Sequence, residues 1–153
     1  MTRPLNYTTK IPAKRTAGEC LDLLAEAGAG SVAIDYTDRE PAGLMFMLDT
    51  PAGRQRFAMP VDGEGIRAVL AIMLAEDPPH VSRSELNRLN SASHARNVAW
   101  RVVRDWLAAQ LAIIAAGMVT LDQVMLPYLA VEGRTLYELF AETGSVPAIE
   151  AAR

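Results

Sequence analysis

The sequence predicts an α+β fold: a small antiparallel sheet in the order β-α-β-β-β-α, followed by a helical C-terminal part with one long buried helix. Three observations carry that prediction. Apolar residues recur at every second position in three runs, with Val32, Ile34 and Tyr36, then Leu44, Phe46 and Leu48, then Phe57, Met59 and Val61; that is the period of a half-buried strand. The gaps between these runs are short and rich in turn residues, Asp38 to Gly43 with Pro41 and Thr50-Pro51-Ala52-Gly53, which favours hairpins over crossovers. The stretch from Ser93 to Ala116 carries Val98, Val102, Val103, Trp106, Leu107, Leu111, Ile113 and Ile114 around well over half a helical circumference, so it must be packed on two sides.

The remaining elements follow from local signals. Leu5, Tyr7, Thr9 and Ile11 alternate with Asn6, Thr8 and Lys10, which predicts a first strand stopped by Pro12. Thr16 with Glu19 has the spacing of a capping box and predicts a helix start, with Cys20, Leu23, Leu24 and Ala27 inward and an end at Gly28 and Gly30. Asp62 is placed to cap a second helix carrying Ile66, Val69, Leu70 and Met73 on one face and ended by Pro78-Pro79. The expected arrangement is a helix pair covering one face of the sheet. Ser82 with Glu85 is a signal for a short helix inside an otherwise mobile segment. Thr120 with Gln123 and Thr135 with Glu138 predict two short C-terminal helices separated by Pro127, the second ending at Gly144. The expected organisation is a sheet domain over 1–78, a mobile linker over 79–92, a helical part over 93–144 packed on the sheet, and a frayed tail over 145–153.

A chain of 153 residues with half its residues apolar has the length and composition of one folded domain. Its 15 basic and 18 acidic side chains leave a formal charge of −3, which excludes a chain-wide basic footprint for nucleic acid but permits a local patch. Cys20 is the single cysteine, so the chain forms no internal disulfide and lacks the ligands of a cysteine-based zinc site. The N-terminal stretch has no apolar core of a secretory signal, and the apolar run Leu107–Val119 is shorter than the ~20 residues that cross a bilayer. A cytoplasmic protein without membrane contact is expected.

The catalytic inventory is thin. His80 and His94, the only histidines, lie in no ligand spacing and read as solvated loop or cap residues. Ser31 follows Gly28-Ala29-Gly30 but leads into a strand, the wrong context for a nucleophile elbow. Asp62-Gly63-Glu64-Gly65 joins a strand to a helix, as a phosphate-binding turn does, yet its two acids sit where the anion would. Asp35 and Asp49 share a sheet face, and solvated strand-end acids are the default reading for them. The sequence therefore predicts no catalytic residue, no metal and no cofactor.

Binding chemistry is better represented. Arg83, Arg88, Arg101 and Arg104 fall in a stretch poor in acids, and Arg54 and Arg56 extend the basic character to the outer sheet face; together they are candidate phosphate contacts. Met45 and Met47 on that same face are candidates for an adaptable partner surface, with cover by the chain's own C-terminal helices as the alternative.

The C-terminal segments Ala95-Arg96-Asn97-Val98-Ala99-Trp100-Arg101, Asp105-Trp106, Ala109-Gln110-Leu111-Ala112, Gly117-Met118-Val119, Leu126-Pro127-Tyr128 and Thr135-Leu136-Tyr137-Glu138 resemble small cytoplasmic proteins of tailed bacteriophages and prophages, a group without an assigned activity. The opening Tyr7-Thr8-Thr9-Lys10-Ile11-Pro12-Ala13 and Met59-Pro60-Val61 extend the likeness over most of the chain. The resemblance implies a phage origin and a place in the host-cell cytoplasm, and supplies no catalytic residue. The resulting expectation is a non-catalytic phage accessory protein acting by macromolecular interaction. Its first expected partner is a second copy of itself, and a host or phage protein is a further one. The alternative is a nucleic-acid-binding protein of phage replication or recombination that holds phosphate through the arginines.

Overall fold

Helix α1 (Ala13–Glu26) is the first regular element of the computed structural model, which describes residues 3–150. It begins three residues before Thr16, so the capping box expected of Thr16 and Glu19 does not form. Pro12 holds the chain extended at the helix entrance, and the freed N–H of Ala13 donates to Asn97 Oδ1 at 2.8 Å. A side chain from a distant helix thus does the work expected of a local cap. Thr16 lies buried inside the helix with its hydroxyl unpaired, and Glu19 reaches outward instead, to Arg101.

The sheet is three-stranded and antiparallel in the order β1 (Gly30–Thr37), β2 (Glu40–Thr50), β3 (Gly53–Pro60). The first turn is tighter than its composition suggests. Asp38 and Arg39 alone connect β1 to β2, with φ of 51° and 65°, the left-handed pair that a two-residue hairpin demands and that non-glycine residues adopt at a cost. Pro41 and Gly43 are consequently strand residues; Pro41 is accommodated because the ladder slips in register between Asp35 and Tyr36, beside it. The inner face carries Leu44, Phe46, Leu48, Phe57 and Met59, all buried, and the Phe46 and Phe57 rings stack with centroids 5.5 Å apart.

No strand forms over residues 5–11. This segment is a strap of turns, with Asn6 at φ 61°, laid across the helices. Its carbonyls are met by side chains rather than by a neighbouring strand: His94 Nε2 donates to Tyr7 O at 2.6 Å and Arg88 Nη1 to Thr9 O at 3.2 Å. The period of two survives only in part in the burial: Tyr7, Thr9 and Ile11 are half-buried, while Leu5 is exposed.

After β3, Asp62 caps α2 (Gly63–Glu76) by accepting from Gly65 N at 2.9 Å. α3 (Arg83–Leu89) follows within the segment read as linker, capped by Ser82 and anchored by buried Leu89. Then comes α4 (Ala92–Ala115), 24 residues long and capped by Ser91. It is packed on two sides. Trp100 and Leu107 join the sheet and α1 in one core, while Ala95 and Val98 join Leu70, Met73, Leu74 and Leu89 in a second. The expected helix pair on the sheet is therefore α1 with α4; α2 lies on the far side of α4, because its apolar stripe meets that helix. Buried Trp100 donates Nε1–H to Pro41 O at 3.0 Å, fastening α4 to the start of β2.

The C-terminal part is α5 (Leu121–Met125), a 3-10 turn (Leu126–Tyr128), a small hairpin of β4 (Ala130–Val131) and β5 (Arg134–Thr135), and α6 (Leu136–Thr143). Both expected capping boxes are formed, and Gly144 closes α6 at φ 68°. Beyond it Ile149 packs on the main core and Glu150 O accepts from Gln55 Nε2 at 2.7 Å; residues 151–153 of the expected frayed tail lie outside the described residues.

Candidate interaction surface

The alternation that buries Leu44, Phe46 and Leu48 turns Gly43, Met45, Met47 and Asp49 to the other face of β2. Cross-strand register makes rows of them: Asp35, Gly43 and Pro60; Ala33, Met45 and Ala58; Gly30, Met47 and Arg56; Asp49 and Arg54. Among the described residues the helix contacts of the sheet come chiefly from α1, on the opposite, inner face. Met45 is 38% exposed and Met47 half-buried. The C-terminal part contributes a wall instead: the β4–β5 hairpin stands beside β3, and Phe57 bridges to Leu129 at its base. Between wall and sheet runs a groove of about 550 Å3 lined by Asp35, Gly43, Met45, Arg56, Glu132 and Glu138, among others.

Of the candidate arginines, Arg54 and Arg56 lie on this face and Arg83 is exposed at the start of α3. None of these three shares in an ion pair among the described residues. The Arg54 side chain crosses the sheet toward β1, so that a β-carbon built on Gly30 would stand 2.8 Å from its Nη2. The other three arginines are engaged inside the molecule. Arg101 meets Glu19 at 2.7 Å, Arg104 meets Glu19 at 3.3 Å and Asp105 at 3.2 Å, and Arg88 meets Glu85 at 2.7 Å. They staple α4 to α1 and steady α3, and the six residues do not form one continuous patch.

The titratable groups that suggest chemistry are accounted for by structure. His94 is buried: Nε2 donates to the strap, Nδ1 accepts from Arg88 Nη1 at 3.1 Å, and burial holds its pKa below the usual histidine value. It is neither solvated nor a simple cap, although its backbone N–H does receive the Ser91 cap. Cys20 is buried, and burial, reinforced by nearby Glu19, pushes its thiol up to about 12, far from a reactive thiolate. Asp35 and Asp49 are six positions apart along β2, Asp35 pairing with Gly43, which separates them by about 20 Å. Among the described residues no group of three or more His, Cys, Asp and Glu side chains is placed to hold a metal. Among the same residues no helix is long and apolar enough to cross a membrane.

Sequence reasoning missed the groove wall. Val131-Glu132-Gly133-Arg134-Thr135 has a glycine between strand-favouring residues, a hairpin signal, but the capping box at Thr135 drew the reading toward helix alone. It also missed Tyr137 and Phe140, which α6 leaves exposed while burying Leu136 and Leu139. Comparison of the chain with protein-family models, with curated proteins and with solved structures gave no match.

Proposed function

We propose that this protein is a non-catalytic binding protein that works by macromolecular contact as a homo-oligomer, with the outer sheet face as its contact surface. The observation that carries this reading is the uncovered state of that face: adaptable methionines and small residues at its centre, charges at its ends, and a groove beside it. The buried histidine and cysteine, each committed to packing, weigh in the same direction. The sequence resemblance adds a phage origin and an accessory role in the host cytoplasm to the proposal.

Sedimentation velocity over a rising concentration series tests it. A mass that climbs above the 16.6 kDa of one chain supports the reading, and a mass that stays there throughout contradicts it. A parallel titration with single- and double-stranded DNA and RNA at low salt covers the alternative, phosphate contact through Arg54, Arg56 and Arg83. Affinity that falls steeply with added salt would favour nucleic acid as the partner.

A further inference from the structure

We propose that the outer sheet face seats a two-fold dimer in which the Ala33–Met45–Ala58 row of one copy lies over the same row of a second, with Asp35 of each copy against Arg54 of the other. This rests on the self-association reading and assigns its geometry. The Asp35–Gly43 row and the Gly30–Met47 row lie two positions either side of Met45 along β2, about 7 Å each way. A two-fold axis in the plane between the faces, running across the strands at the Met45 row, reverses strand direction and exchanges these rows while keeping β1 over β1.

Asp35 of one copy then faces Gly30 of the second, where the Arg54 guanidinium already lies. Neither Asp35 nor Arg54 has an ion-pair partner among the described residues of its own chain, and the axis sets each against the other's charge. The same operation sets flexible Met47 over the Gly43 row. The centre is apolar and the flanks pair acid with base, as a self-complementary isologous interface requires. The hairpin wall stands on the β3 side, and Asp35 lines the groove between it and the sheet.

Three strands about 4.8 Å apart and four rows of residues about 7 Å apart give a footprint of roughly 10 by 20 Å. That is well under the ~800 Å2 per partner of a stable complex, so the dimer belongs to the weak, transient class.

Sedimentation velocity on the full chain, wild type and variants, from about 10 μM to about 1 mM is the test. Asp35→Arg and Arg54→Glu, each alone, are expected to weaken association about tenfold or more, because both symmetric pairs turn repulsive. Mixed in equal amounts they restore it, since the heterodimer has two attractive pairs. The neutral variants Asp35→Asn and Arg54→Gln weaken association to a lesser degree and are rescued only in part by mixing, since their heterodimer keeps one Asp35–Arg54 pair; a folded far-UV circular dichroism spectrum is required of every variant. A wild-type dimer indifferent to these changes and to Met45→Arg overturns this geometry but leaves self-association standing. Wild type that stays monomeric throughout overturns both. A monomer that binds nucleic acid through Arg54 overturns the dimer in favour of that partner.

Discussion

The two faces of the three-stranded sheet are made of the same strands, residue by alternate residue, and they differ in almost every physical respect. On the inner face Leu44, Phe46 and Phe57 are at most 1% exposed and lie under α1 and α4. On the outer face Met45, between Leu44 and Phe46, is 38% exposed, and its row continues into Ala33 and Ala58. Strand propensity is shared by both sets, so it cannot be what separates them. What separates them is where the helices go: every helix that packs on the sheet takes the inner side, and the C-terminal hairpin only walls the outer side. The inner face therefore carries stability, and the outer face is the one proposed for contact.

Substitutions along one strand measure that division. Phe46→Ala removes half of the stacked aromatic pair from a closed core and should cost about 3–5 kcal/mol of unfolding free energy, read by urea denaturation; a loss under about 1 kcal/mol would mean the core is far looser than the stacking implies. Trp100→Phe tests the fastening of the inner layer. It strands the Pro41 carbonyl in the interior and should cost about 1–3 kcal/mol. Thr16→Val has the opposite sign. The Thr16 hydroxyl is buried and unpaired, so its removal at nearly constant shape should stabilise by up to about 1 kcal/mol, raising the thermal midpoint. Met45→Ser on the outer face should change stability by no more than about 0.5 kcal/mol, with its effect appearing in self-association.

A pH titration examines the strap in the same terms. The folded state keeps His94 neutral, with a pKa below the 6.5 of the free side chain. As pH falls below about 6.5 the unfolded chain takes up a proton that the folded chain resists, so stability is lost in that window. Above it the residue contributes no slope. Protonation sets a second N–H on Nδ1 against the Arg88 guanidinium, where the counter-charge of Glu85 is held in turn by Arg88. Urea midpoints between pH 7.5 and 5 should decline, and the His94→Gln variant should show a shallower decline; a His94→Gln slope equal to that of wild type would place the titration elsewhere.

The class of the fold was readable because its signals are local. The alternation at Leu44, Phe46 and Leu48, the Asp62 cap and the boxes at Thr120 and Thr135 depend on neighbours within four residues, and each is present. Apart from the Asp38–Arg39 turn and the β4–β5 hairpin, the failures were long-range. The N–H groups of α1 are served by Asn97, 84 positions away, and the strap is held by His94, 87 positions from Tyr7; no window of sequence contains both partners. The candidate surface divides in the same manner. Met45 and Met47 were placed correctly on one face by period alone, whereas Arg88, Arg101 and Arg104 looked free only because Glu85 and Glu19 could not be seen reaching them. Periodicity assigns a residue to a face; it does not show what comes to cover that face.

Met45→Arg, followed by two readouts on one sample, asks whether neighbouring residues of β2 divide stability from association. The urea midpoint at low micromolar concentration should match wild type within about 0.5 kcal/mol, because the monomer leaves Met45 in solvent, while sedimentation at high concentration should show the dimer lost. A midpoint that collapses, or a dimer that survives a charge planted at the centre of its face, would contradict that division.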